Sequence, residues 1–291
     1  MINILLTGSS GFVGTYFRNK YINKYNMRFF SFLKDNFKEL SLINTDVIIH
    51  LSALVHQMGG ATKEEYEEIN VFQTLDLARK AKKSGVKHFI FMSTVKVYGE
   101  ETNFVYNEKS VCNPQDEYGK SKLRAEKELI KLNDDSFIVS IIRTPIVYGN
   151  NVKANIKNLI TLVDKVFILP FANIQNRRSM VYVGNLCHLI DVIIGFRIKY
   201  GMTKNIFLAS DDEPLSTTRL IELIAQNFNK KIYLIKIPFF EALVKLLKPS
   251  FHKRLYESLE VNNRLTEKKL EFKNLYSVED GIRFMIKSED I

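Results

Sequence analysis

Tyr118 and Lys122 stand four residues apart in Tyr118-Gly-Lys-Ser-Lys122, a separation that puts two side chains on one face of a helix. A phenol titrates near ~10, too high to act as a base at neutral pH, and a neighbouring ammonium favours its ionised form. Bringing it from about 10 to about 7 takes roughly 4 kcal/mol of differential interaction. Such a pair would take a proton from an alcohol or sugar hydroxyl and return it. The spacing alone recurs by chance, so its weight rests on what precedes it in the chain.

What precedes it is a turn made for phosphate. Residues 2–7 read as a short buried strand, and Gly8-Ser-Ser-Gly11-Phe12-Val13-Gly14 opens a helix expected to run to about Tyr25. Glycines there let the backbone approach a pyrophosphate, and the helix N-terminus offers it free N–H groups and a positive dipole end. Strand, glycines and helix together indicate dinucleotide binding. An oxidised nicotinamide beside Tyr118 would add a second positive charge to that of Lys122. The strand expected over 27–32 leads into Lys34-Asp35. An acid at this strand end selects the ribose of NAD and a base the 2′-phosphate of NADP, so NAD and NADP both stand.

The next strand, 46–51, closes on Leu51-Ser52-Ala53, small enough after Leu51 for a cofactor to cross the sheet edge. His50 inside it reads as a satisfied core histidine, whereas His56 in the following loop is open to a substrate role. A helix over 66–84 and a strand over 88–92 follow, the strand ending in Ser93 and Thr94. A hydroxyl at that end could bond the same substrate oxygen that Tyr118 deprotonates. The tyrosine helix should run to about Leu132, before a strand over 137–142. Strand and helix alternating with short joins predict an α/β, Rossmann-type doubly wound parallel sheet. Residues 1–150 would form the dinucleotide domain, with 181–209 returning to it. Residues 151–180 and 210–291 would form a smaller substrate-binding lobe. In that lobe Arg177-Arg178 could clamp a diphosphate. The basic amphipathic stretch 236–256 reads as a helix lining the lobe, with a membrane surface as its other possible partner.

Composition narrows the classes. The 291 residues are 46% hydrophobic, enough for a sizeable core. Forty-two basic against 32 acidic residues give +10, spread along the chain without arginine-rich blocks. That argues against nucleic acid and suits an anionic nucleotide. Two cysteines and five unclustered histidines form neither a disulfide framework nor a metal set. No targeting segment or membrane-length apolar run is visible, which points to the cytoplasm.

These pieces, in order, resemble the extended short-chain dehydrogenase/reductases, in the NAD-dependent nucleotide-sugar epimerase/dehydratase branch that includes UDP-glucose 4-epimerase-like proteins. The matching residues are Thr7-Gly8-Ser-Ser-Gly11-Phe-Val-Gly14, His50-Leu-Ser-Ala53, Asn70, Ser93-Thr-Val-Lys96-Val-Tyr-Gly-Glu100, Tyr118-Gly-Lys-Ser-Lys122, Arg143-Thr-Pro145, Val147-Tyr-Gly149 and Arg178-Ser-Met-Val-Tyr-Val183. The resemblance implies hydride transfer between a nicotinamide and C4 of a UDP-hexose. Tyr118 would be the acid/base and Lys122 would lower its pKa and hold the nicotinamide ribose. Thr94 with Ser93 would bond the C4 oxygen, Gly8, Gly11 and Gly14 would take the pyrophosphate, and Lys96, Asn155 and Arg178 would contact substrate. It also implies a homodimer built through two helices per subunit, the tyrosine helix among them. Two activities share this chemistry. One is a C4 epimerase of a UDP-hexose or UDP-N-acetylhexosamine. The other is an NADPH-dependent 4-keto reductase of a UDP-6-deoxy-N-acetylhexosamine in surface-polysaccharide biosynthesis. A non-catalytic dinucleotide-binding regulator on the same fold is a third reading, disfavoured by the retained tyrosine and lysine.

Overall fold

A computed structural model of the chain describes residues 1–55, 60–100, 104–200 and 205–287. His56 lies outside the described residues. The N-terminal half begins with β1 (Asn3–Thr7), α1 (Phe12–Tyr21), β2 (Asn26–Phe30) and β3 (Val47–His50). The helix α1 stops four residues short of the expected end because Tyr25 turns inward. Its ring stacks 6.4 Å from Phe17 and its hydroxyl donates to Asp191 at 2.6 Å.

The single helix expected over 66–84 is three joined pieces: α2 (Lys63–Tyr66), a π-helical stretch Glu67–Phe72, and α3 (Gln73–Lys83). A Thr62–Glu65 capping box starts it three residues early. The strand β4 (His88–Thr94) includes Ser93 and Thr94, and α4 (Glu117–Leu132) carries the Tyr118 motif. It is followed by β5 (Ile138–Thr144).

A short strand β6 (Ile146–Tyr148) leads into α5 (Ala154–Lys165), β7 (Ile168–Leu169) and β8 (Met180–Tyr182). Next come α6 (Val183–Tyr200), β9 (Asn205–Leu208), α7 (Thr217–Asn227) and β10 (Tyr233–Leu234). The remaining helices are α8 (Phe240–Leu247), α9 (Pro249–Tyr256), α10 (Arg264–Leu270) and α11 (Val278–Lys287). The stretch 236–256 is thus two helices rather than one. Pro249 opens α9, where its ring and missing N–H are tolerated at a first turn and not inside a helix.

Six parallel strands form the central sheet in the order β2-β1-β3-β4-β5-β9. The chain winds from β1 to β2 on one side, then crosses back to β3 on the other. The crevice at the carboxyl ends of β1 and β3 is the switch point where such sheets take ligands. Alternate residues of β1 serve different layers: Leu5 joins the core under α3 and α4, whereas Ile4 and Leu6 join a core that also holds Phe17 of α1 and Leu186 of α6. That second core runs without interruption to Ile221, Leu255 and Ile282. The C-terminal segments add two small parallel pairs, β6 with β8 and β7 with β10.

Candidate active site

The glycine turn sits at the switch point. Gly8 has φ 71°, a conformation side chains rarely adopt, and a Cβ there would lie 2.8 Å from the Leu51 carbonyl carbon and the Ser52 nitrogen. A Cβ on Gly14 would collide with the Gly8 carbonyl oxygen. Gly11 caps α1 without any side-chain hydrogen bond, and the first turn carries no acid. Phe12 and Val13, which open the helix, pack their side chains against the core. A bare-backbone helix start beside a sheet switch point fits a dinucleotide pyrophosphate. Leu51 and Ser52 close the crevice wall: both backbone N–H groups donate to Thr7, at 3.3 Å each, and Ala53 follows, half-buried.

Beyond β2, which ends at Phe30, the chain folds back on itself. The Asp35 carboxylate accepts from the Ser31 backbone N–H at 2.8 Å, and Lys34 is exposed on the same turn. His50 is a core residue: its ring nitrogens meet the hydroxyls of Thr7 at 2.7 Å and Thr74 at 2.9 Å. Burial, and then the charge of Lys122, push it down to about 3.

The α4 helix is fastened at its start. Asp116 caps it by accepting from the Gly119 N–H at 2.7 Å, and the same carboxylate pairs with Lys96, which also meets Glu100 at 3.1 Å. Asn70, in the π-helical stretch, donates to Ser121 Oγ at 3.1 Å and exchanges two backbone bonds with Leu54, at 2.8 and 2.9 Å. One buried amide thereby ties the loop after β3 to the tyrosine helix. Helical irregularities of this kind recur at functional sites.

Tyr118 is half-buried in the cleft, its ring 6.1 Å from that of Tyr66. Lys122 is buried, with its ammonium 4.0 Å above the face of Phe91. The expected lowering of the phenol by this lysine is not what the protein produces by itself. Desolvation, then Asp116 and Tyr66, push Tyr118 up, while desolvation pulls Lys122 down to about 7 against the opposing effect of Glu126. The reason is burial: Lys122 has a quadrupole beneath it in place of water, so its own charge is the costly one.

Ser93 and Thr94 part company because strand neighbours face opposite ways. Ser93 donates to Glu126, which is buried in an ion pair with Arg143 at 2.6 Å. Thr94 faces a cleft of about 490 Å³ together with Lys96, Tyr118, Asn155 and Arg178. The five residues expected to contact substrate thus line one cavity, and Ser93 stands behind its wall. Ile146, Asn155, Arg178 and Arg254 also line an adjoining apolar arm of about 450 Å³ under α5, α7 and α9. The arginine pair divides in the same way as the hydroxyls: Arg177 bonds Glu260 at 2.6 Å, whereas Arg178 donates to the carbonyls of Lys253 and Glu257 at the end of α9. Arg254, which no local pattern marks, donates to Asn155 at 2.8 Å at the junction of the two arms. Among the described residues no histidine, cysteine or carboxylate cluster could hold a metal.

The switch-point crevice, the side-chain-free turn and the tyrosine-lysine helix define a dinucleotide-dependent enzyme of the Rossmann type. The chain belongs to the NAD dependent epimerase/dehydratase family, whose model matches residues 4–206. It is 36% identical to the UDP-glucose 4-epimerase of Vibrio cholerae across 97% of this chain and 93% of that one. It is 27% identical to the N-acetyl-alpha-D-glucosaminyl-diphospho-ditrans,octacis-undecaprenol 4-epimerase of Escherichia coli O157:H7, over 81% of this chain and 76% of the relative. The crystal structure of UDP-glucuronic acid 4-epimerase from Bacillus cereus in complex with NAD superposes with a TM-score of 0.78 at 18% identity, covering 98% of each chain.

Proposed function

We propose that this enzyme is a C4 epimerase of a UDP-hexose or UDP-N-acetylhexosamine, working through a transient 4-keto sugar with bound NAD. The observation that carries this reading is the single cleft in which Thr94, Lys96, Tyr118, Asn155 and Arg178 meet, beside a turn that fits a pyrophosphate. Bound at that turn, the cofactor supplies a reversible acceptor for the C4 hydrogen. Tyr118 Oη takes the proton of the C4 hydroxyl as the ketone forms and returns it after the sugar has turned its other face. Thr94 Oγ1 bonds the same oxygen and holds it in line. Lys122 holds the nicotinamide ribose, and its charge together with that of the oxidised nicotinamide opposes the burial that raises Tyr118. Arg178, Arg254 and Asn155 hold the diphosphate where the two arms join, and the apolar arm seats the group beyond it. A homodimer through the π-helical stretch and α4 would cover Phe72 and Ile130, which are exposed there.

The test is incubation of purified protein with UDP-glucose or UDP-N-acetylglucosamine, with NAD and no reductant. Conversion to a mixture of the two C4 epimers supports the reading. Turnover of a 4-keto sugar alone, with NADPH consumed mole for mole, would replace it with the reductase. The observation favouring that second reading is the exposed Lys34 on the turn after β2, a cation placed to meet a 2′-phosphate.

A further inference from the structure

The helix α8 carries a wider apolar face than the protein covers. Phe240 and Val244 turn partly inward, and Phe240 meets Phe171 edge-on at 6.3 Å. The adjoining stripe of Phe239, Leu243, Leu246 and Leu247 is left 87%, 51%, 78% and 68% exposed. Leu243, Leu246 and Leu247 fall at i, i+3 and i+4, one side of the helix, and Phe239 precedes its first turn. Phe239 is also held at φ 60°, in the left-handed region where a bulky residue is a rare outlier. That backbone conformation fixes the most exposed ring of the stripe at the very start of the helix. Glu241 and Lys245 share the opposite, polar face, and Lys236 and Lys248 flank the two ends, all exposed. An apolar stripe of this kind, with a lysine at each end, matches a helix lying in a membrane interface. No described helix is long and apolar enough to cross a membrane, so the contact would be peripheral.

We infer that α8 and Phe239 form a docking surface for an anionic lipid bilayer. The charge pattern chooses this occupant over a second copy of the chain. A two-fold contact through the stripe would crowd the flanking Lys236 and Lys248 of both copies with nothing to neutralise them, whereas anionic headgroups neutralise both. The chain as a whole is +10, which adds a long-range attraction of the same sign. Docking here has a consequence for access. Lys248, Ser250 and Phe251, at and just beyond the end of α8, line the apolar arm of the cleft, so the bilayer would lie beside its opening.

The test is sedimentation of the purified full chain with phosphatidylcholine vesicles and with vesicles that also contain phosphatidylglycerol, at low and high salt. The chain is expected to sediment with the anionic vesicles and to be released by salt. The double substitution Phe239→Ser/Leu246→Ser should weaken that partition by about 100-fold, taking a tenfold loss or more for each large apolar side chain. Lys236→Glu should reduce the preference for anionic over neutral vesicles. Unchanged melting temperatures show that the variants fold. Wild-type protein that stays in the supernatant with both vesicle types overturns the inference, as does a double variant that sediments like wild type. A wild-type dimer that ignores vesicles and dissociates on the double substitution assigns the face to a second copy instead. Turnover of a water-soluble sugar nucleotide is read separately, so failure of docking leaves the epimerase reading standing, and the reverse.

Discussion

Lys122 pays in stability for being dry. Its folded-state value of about 7 lies below the 10.5 of an ordinary lysine, so between those limits the unfolded chain binds more protons and stability rises with pH. Below about 7 the cost of the buried charge is fully present. Lys122→Met should therefore raise the melting temperature by roughly 5 °C near pH 6. The gain should shrink as the pH climbs towards 10, and melts at pH 6 and pH 9 check it. The same variant should lose activity, the usual exchange at a site held for chemistry. Tyr118→Phe belongs at this scale too: it should cut kcat by about 100-fold or more while leaving cofactor binding intact. Turnover by the phenylalanine variant at the wild-type rate would remove the phenol from the mechanism. The Tyr118–Lys122 spacing was legible in the chain, and the direction of each shift was not, because desolvation depends on what packs around the group.

Between residue and molecule, the element that matters is the strut from the π-helical stretch to α4. Asn70 satisfies both backbone groups of Leu54 and the hydroxyl of Ser121 with one amide. Asn70→Ala would remove the partner of both Leu54 backbone groups in a part-buried setting, leave Ser121 with its bond to the Tyr118 carbonyl, and should destabilise the fold by about 2 kcal/mol. It should also lower kcat more than it raises KM, since the loop and the tyrosine helix lose their common anchor. Urea unfolding and steady-state kinetics read the two effects separately. The helical period showed that residues 66–84 are helical, yet it could not show the extra residue that makes a π turn. Strand alternation had the same kind of limit. It implies that Ser93 and Thr94 face opposite sides, and only the packed Glu126–Arg143 pair shows which side is interior.

At the scale of the whole molecule, the cleft is made by segments far apart in sequence. Thr94 comes from the sheet, Tyr118 from α4, Asn155 from α5, Arg178 from the approach to β8 and Arg254 from α9. Arg254 spans the two arms through its bond to Asn155. Arg254→Ala should raise KM for the sugar nucleotide by about 10- to 100-fold, the loss of one charge-assisted hydrogen bond or two. Its effect on kcat should be smaller, because the substitution stands away from the C4 oxygen. Initial-rate kinetics against substrate concentration decide it.

The sequence by itself determined the alternating strands and helices, the glycine turn after the first strand, the tyrosine-lysine pair and the family, because each depends on spacing within a few residues. Period, turn chemistry and helix faces are local properties, and a local pattern survives being read in one dimension. Tertiary structure alone decided that Ser93 points away from the cleft, that Arg177 and Arg178 serve different partners, that Arg254 joins the site and that α8 keeps a bare apolar face. Each of those depends on which distant segment arrives to cover or to meet a side chain, and burial by distant neighbours leaves no trace in local order.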